Sequence, residues 1–307
     1  MRAPWAPVLA VAVVGAGANL SGCANSDPTA APGAFDPDTI VVGTANFPES
    51  EIIGQLWARV LRDAGFKVEM SSQIGAREVY LGALESGDID IVPEYTGNLA
   101  QYYDADVPEN ADADEVYAAL IAGLPEGLTA GEKSPAESKD AYRVTRKTAE
   151  EEGIRSLADL GKLDRVRVAG NPELAERPFG PAGLEATYDL PADSVELKPI
   201  SDGGGPLTIS SLAEGEVDIA DIYTTSPVFD RSENEVDVVT LEDPKNLILS
   251  QNLTPIYRAD ELPAGAIEAL DDFNAGLTTD DLKQMNVRNV GEEKAEPEII
   301  ADDFLHD

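Results

Sequence analysis

Apolar and polar positions follow two rhythms along this chain, and the switches between them divide it into strands and helices. Thr39–Thr44 (TIVVGT) is a short continuous apolar run of the kind buried in a parallel sheet. Glu49–Ala64 then places Ile53, Leu56, Val60 and Leu61 on one helical face. Trp57 borders that face and is expected in the core. Lys67–Ser71 reads as a strand and Ala76–Ser86 as a helix, and Asp88–Val92 reads as a strand that Pro93 ends. Asp112 or its neighbour caps a helix through Ile121. Tyr142–Thr145 reads as a strand, followed by a helix from Thr148, a strand at Arg165–Ala169, helix around Gly183–Tyr188 and a strand at Val195–Pro199. Leu207–Glu214 is helical, Val217–Ile222 and Val236–Leu241 are extended, and Pro255–Arg258 is a strand returning to the first part of the chain. Three helices close the pattern, at Ala264–Asn274, Thr279–Met285 and Glu296–Leu305. Strands alternating with helices of this length argue for α/β lobes with largely parallel sheets.

One segment occurs twice. Leu81–Gly97 (LGALESGDIDIVPEYTG) reappears loosely at Ile209–Thr225 (ISSLAEGEVDIADIYTT), always at an offset of 128. Leu84, Gly87, Asp90, Ile91, Tyr95 and Thr96 match Leu212, Gly215, Asp218, Ile219, Tyr223 and Thr224. Each copy reads as a helix end, a Gly-acidic turn, a short strand, then Tyr-Thr just past the strand. In open α/β sheets ligands bind outside the carboxyl ends of strands. Two lobes could therefore aim two Tyr-Thr pairs into one cleft.

The N-terminus carries an address. Residues 1–22 contain one basic residue, Arg2, an apolar run at Val8–Val14, small residues, and then Leu20-Ser21-Gly22-Cys23. This is the pattern of a secretory signal peptide, and its last four residues match a bacterial lipobox in which Cys23 becomes the lipidated first residue. The apolar stretch is shorter than the ~20 residues of a membrane span. Cys23 is the only cysteine, which excludes an internal disulfide. Ala24–Asp38, rich in Pro, Ala and Asp, reads as the rest of a flexible tether over residues 23–38. Without residues 1–22, 21 basic residues face 58 acidic ones. Such a surface repels nucleic acid and anionic headgroups, so neither is expected as a partner. The remaining length suits two domains.

Much chemistry is excluded. The one histidine, His306, is second-last, so no Ser-His-Asp relay can form, and Cys/His metal sites and cysteine nucleophiles are absent too. Asn110, Asp112 and Asp114 begin like a calcium loop, but Glu115 stands where glycine is needed and Ile121 where the bidentate glutamate belongs. Ser201–Pro206 (SDGGGP) is a turn without the spacing of a phosphate loop. Paired carboxylates are plentiful, so a glycosidase remains formally open.

Gly43-Thr-Ala-Asn-Phe-Pro-Glu-Ser50 and Ala83-Leu-x-Ser-Gly-Asp-Ile-Asp-x-x-Pro-Glu-Tyr-Thr-Gly97 resemble the substrate-binding proteins of ABC importers for quaternary amines such as glycine betaine, choline and carnitine. So do Asp140-Ala-Tyr142, Ser156-Leu-Ala-Asp-Leu160, Gly170-Asn-Pro-Glu173 with Arg177 and Tyr188, and Gly215-Glu-Val-Asp218 through Tyr223-Thr-Thr. The likeness runs in order from about Thr39 to Leu305. It implies a two-lobed, type II periplasmic-binding-protein-like α/β fold, each lobe a mostly parallel sheet flanked by helices. Residues 39–140 plus 252–307 would form lobe I and 141–251 lobe II. It also implies a non-enzymatic receptor without cofactor or metal, lipid-anchored through Cys23 outside the cell membrane, monomeric, and partnered by a permease.

A quaternary ammonium has no N–H to donate, and its diffuse charge is best held by aromatic faces. The resemblance implies a tyrosine cage from both lobes, with Tyr95, Tyr142 and Tyr223 at matching positions. Asp140 would be an electrostatic partner for the cation. Arg177, with Thr96 or Thr224, would clamp a carboxylate. Asn46 would lie at the cleft mouth. For each tyrosine the other reading is a half-buried packing residue, and for Arg177 a surface ion pair. Many relatives carry a further tyrosine where Gln251 stands, and a lysine in place of Ala45. The cage is then more polar on one side, which favours a larger or more polar betaine, or choline. The same fold binding an amino acid is the alternative.

Overall fold

The computed structural model describes residues 38–259 and 261–306. The signal peptide, the tether and Cys23 lie outside them, apart from Asp38. The chain runs β1 (Thr39–Gly43), α1 (Pro48–Asp63), β2 (Lys67–Ser71), α2 (Arg77–Ser86), β3 (Ile91–Tyr95), α3 (Thr96–Tyr102), α4 (Ala113–Gly123) and β4 (Leu128–Ala130). It crosses into β5 (Tyr142–Thr145), α5 (Arg146–Glu151), β6 (Val166–Gly170), α6 (Pro181–Thr187), β7 (Val195–Pro199), α7 (Pro206–Ala213), β8 (Ile219–Asp221) and β9 (Val238–Thr240). It then returns through β10 (Leu253–Arg258) to α8 (Ala264–Gly276), α9 (Thr279–Val290) and α10 (Pro297–His306).

Two five-stranded sheets result, ordered β2-β1-β3-β10-β4 and β7-β6-β8-β5-β9. In the first, β2 and β3 run parallel to β1, and β10 runs antiparallel to β3 and β4. In the second, β7 and β8 run parallel to β6, and β5 runs antiparallel to β8 and β9. Each sheet thus has a single reversed strand. It is the strand by which the chain enters after crossing from the other sheet. This is the expected two-lobed α/β architecture with mostly parallel sheets.

The repeated segment has a structural basis. Gly87 ends α2 at φ +83°, and Gly215 follows α7 at φ +74°. After each glycine, an aspartate grips the neighbouring parallel strand. Asp90 accepts from Val41 N–H at 2.7 Å and its own N–H donates to Val41 O at 2.9 Å. Asp218 does the same with Arg167, at 2.8 and 2.9 Å.

Pro93 does not end its strand; β3 continues to Tyr95. Thr96 N–H donates to Asn252 O at 3.0 Å, which fixes the hydrogen-bonded positions of the β3–β10 ladder. Counting back from there puts Pro93 opposite Pro255 at a non-bonded pair, where no N–H toward the partner is required. The helix at Thr96–Tyr102 and the strand at Leu128–Ala130 have no counterpart in the apolar pattern. Asp112 caps α4 and forms a capping box with Glu115, so the calcium-like spacing is a helix start. The first core gathers around α1, where Trp57 is fully buried and donates to Asn274 Oδ1 at 3.0 Å. The second gathers around Tyr142, Val168, Leu184 and Ile219.

Candidate functional site

The carboxyl ends of the parallel strands in both sheets converge on one cleft. It encloses about 190 Å³ and opens at its back to a recess of about 50 Å³. These dimensions suit a small solute better than a drug-sized one, for which ~300–1,000 Å³ is usual. The first sheet's side supplies Asn46 and Phe47 from the loop after β1, Arg77 and Tyr80 from α2, and Asn98 from α3. The second supplies Asn171, Arg177 and Phe179 after β6, Asp202 after β7, and Asp221 and Tyr223 at the end of β8. Asp140 enters from the first crossover.

The recess is aromatic. Phe47, Tyr80, Tyr95 and Tyr223 line it, with Pro93, Asp140, Asn98, Ser138 and the Glu94-paired Arg77 completing the wall. Phe47 and Tyr223 approach from opposite lobes, their ring centroids 5.9 Å apart and tilted by 51°. Tyr95 donates its hydroxyl to Glu49, whose other oxygen accepts from Asn286 Nδ2 at 2.5 Å. Burial, with Glu49 beside it, pushes the Tyr95 phenol well above its ordinary value, so it stays a neutral donor. Tyr80 donates to Glu94 at 2.7 Å.

The two arginines that line the cleft are paired with glutamates. Arg77 forks onto Glu94 with Nε and Nη2, at 2.7 and 3.0 Å. Burial opposes its charge, but Glu94 more than offsets this and raises the guanidinium above its ordinary range. Arg177 reaches across from the second lobe to Glu78 of α2, at 3.3 Å. Between the lobes, Asp140 accepts from Asn98 Nδ2 at 2.7 Å, and Asn98 Oδ1 accepts from Gln251 Nε2 at 2.7 Å.

The residues singled out from sequence are distributed unevenly. Tyr95, Tyr223, Asp140, Asn46 and Arg177 line the cleft or its recess. Tyr142 does not: it is 1% exposed in the second core and donates to Phe179 O at 2.7 Å. It touches the cleft wall only from behind. Thr96 and Thr224 face the crossovers instead. Thr96 Oγ1 donates to Ser250 O and accepts from Asn252 N–H, both at 3.1 Å, while Thr224 Oγ1 accepts from Lys139 N–H at 3.0 Å. Gln251 is fully buried on the return crossover, one step behind Asn98. Arg77, Tyr80, Phe47, Asn98 and Asp221 line the cleft without having been singled out. Phe47 lies within the Gly43–Ser50 motif, and Asp221 two residues before Tyr223 in the repeat. No local pattern marked Arg77 or Asn98.

Residues 38–307 match the family described as the substrate binding domain of ABC-type glycine betaine transport systems. The chain is similar to the glycine betaine-binding protein YehZ of Escherichia coli, at 26% identity over 279 residues, covering 87% of this chain and 89% of that one. A glycine-betaine-binding protein of Pseudomonas aeruginosa is 26% identical over 298 residues, 90% of each chain. The carnitine transport binding protein OpuCC of Listeria monocytogenes is 24% identical over 289 residues, 89% and 88% of the two chains. Among solved structures, a glycine betaine/carnitine/choline ABC transporter protein matches with a TM-score of 0.67 at 19% identity, covering 87% of this chain and 97% of that one. Lactococcal OpuAC in its closed form with glycine betaine matches with 0.61 at 16% identity, over 88% and 95%. At those identities the structural likeness establishes the fold.

Proposed function

The chain belongs to the substrate-binding domains of ABC-type glycine betaine transport systems, and we propose that it captures a quaternary ammonium solute between its lobes and delivers it to a membrane permease. Such domains are substrate-binding components of importers and work outside the cytoplasm. The observation that carries the ligand reading is the recess where Phe47, Tyr80, Tyr95 and Tyr223 face one space beside Asp140. A trimethylammonium group offers no hydrogen-bond donor, and aromatic faces with a nearby carboxylate are what stabilise its diffuse charge. Relatives whose names state a ligand bind glycine betaine or carnitine.

In this reading residues 39–140 and 252–307 form one lobe and 141–251 the other, and the pair closes about the crossovers at Asp140 and Gln251. Cys23, in Leu20-Ser-Gly-Cys23, carries the lipid that holds a monomeric receptor at the outer face of the cell membrane. Calorimetric titration with glycine betaine, choline, carnitine and a panel of amino acids tests the function. Binding of at least one quaternary amine is expected. An amino acid that binds where every quaternary amine fails would overturn it.

A further inference from the structure

We propose, on the premise that the cleft takes quaternary ammonium solutes, that Asp140 and Asp221 act as one proton-sharing acid pair that favours net cations over zwitterions and gives up its proton when a cation enters. Asp140 lies on the first crossover, just before β5, and Asp221 ends β8; β5 and β8 are adjacent, with Tyr142 opposite Asp221. Both carboxyls line the cleft, yet they are only 6% and 8% exposed. Asp140 accepts from Asn98, whereas Oδ1 of Asp221 is buried without a partner. Asp140 stands two residues before Tyr142, on the same side of the β5–β8 pair as Asp221, so both carboxyls open on the same small space. Two ionised acceptors in that position repel, and a proton held between them removes both the repulsion and the orphaned oxygen.

The surrounding charges do not remove the need for that proton. Arg143 of β5 directs its Nη2 to Tyr223 O at 2.7 Å, and its Nε is buried without a partner. Arg77 of α2 is held by Glu94. Tyr142 and Tyr223, the phenols nearest the pair, are kept neutral by burial first and by the pair's own charge second. Burial and the neighbouring carboxyl raise Asp221 well above its ordinary value, and burial raises Asp140. An incoming cation supplies the charge that lets the pair ionise.

A zwitterion is treated differently. Its carboxylate needs a donor, and the two arginines lining the cleft already hold Glu94 and Glu78. A carboxylate there must share an arginine with a glutamate, or lie near the acid pair. A cation without a carboxylate, such as choline, meets neither obstacle.

The test is calorimetry of the mature protein with choline and with glycine betaine from about pH 5 to 8, in two buffers of different ionisation enthalpy. Below the pair's apparent pKa, choline affinity should rise by up to about ten-fold per pH unit, with release of up to one proton. Choline should exceed glycine betaine by at least about ten-fold at the alkaline end, the effect of one charge interaction of ordinary strength. In Asp221→Asn the pH slope should disappear and the preference narrow. Equal or tighter binding of glycine betaine, or a choline affinity that is flat in pH and independent of buffer, would overturn the pair while leaving the proposed function standing. Failure of both ligands and of carnitine would instead remove the premise.

Discussion

Tyr95 and Tyr223 occupy equivalent places in the two copies of the repeat, and both turn their rings into the recess. They are anchored differently: the Tyr95 hydroxyl donates to Glu49, while the backbone carbonyl of Tyr223 accepts from Arg143. Replacing either with alanine should weaken quaternary amine binding by at least about 1 kcal/mol, the scale of a desolvated cation–π contact. Unchanged affinity in both variants, read by calorimetry, would remove the cage. Asp221 makes a prediction of its own for stability. Its folded-state pKa is raised above that of the unfolded chain, so the resulting stabilisation is complete only below the unfolded value near pH ~3.9 and is lost as pH rises through the folded one. At pH 7 the ligand-free protein therefore carries the cost of a poorly compensated buried acid. Asp221→Asn should raise the melting temperature at neutral pH, by about 1 kcal/mol or more in stability, and the gain should shrink toward pH 4. Differential scanning calorimetry at the two pH values checks both halves.

At the scale of elements, the repeat separates into parts with different duties. The glycines and aspartates build the turn and dock it on the neighbouring strand. The tyrosines face the cleft, and the threonines tie each strand end to the nearer crossover. Gly215 has a positive φ and open space around the site of a Cβ, so Gly215→Ala meets backbone strain alone. It should cost about 1–2 kcal/mol in denaturant unfolding, with little change in affinity. Thr96→Val leaves the Asn252 N–H without its side-chain acceptor in a buried place. A stability loss of about 1–3 kcal/mol is expected, with a smaller effect on ligand affinity than Tyr95→Ala. A larger effect on affinity than on stability would place Thr96 in the ligand site after all.

The whole molecule carries a formal charge of −36, and its acids are spread along the chain. Self-repulsion of that size opposes the compact state and is screened by salt. Raising NaCl from about 0.1 to 1 M shortens the Debye length from about 10 to 3 Å and should raise the melting temperature of the ligand-free protein. A melting temperature that falls or does not move would mean that ion pairs such as Arg288 with Glu293 and Asp303 outweigh the net repulsion.

Local order was legible without coordinates because it depends on near neighbours. The apolar run Thr39–Thr44 marks β1, short extended segments mark β5 and β7, helical periodicity marks α1, and Asp112 marks the start of α4. The matched repeat foreshadowed two related sheets, since the same turn and the same strand-gripping aspartate recur in both. Sequence also ruled out histidine and cysteine chemistry, which no folding could restore. What only the tertiary structure decided is which way a side chain faces once distant segments meet. Tyr142 begins β5 and Tyr223 follows the end of β8, yet one sits in the core and the other lines the recess. Pro93 ends no strand, because Pro255, 162 residues later, meets it where no N–H is needed. Arg177 reads equally as a carboxylate clamp or an ion-pair partner until Glu78 is brought beside it. The Asp140–Asp221 pair joins residues on different segments, and its shared proton exists only because folding presses two carboxyls together where little water reaches.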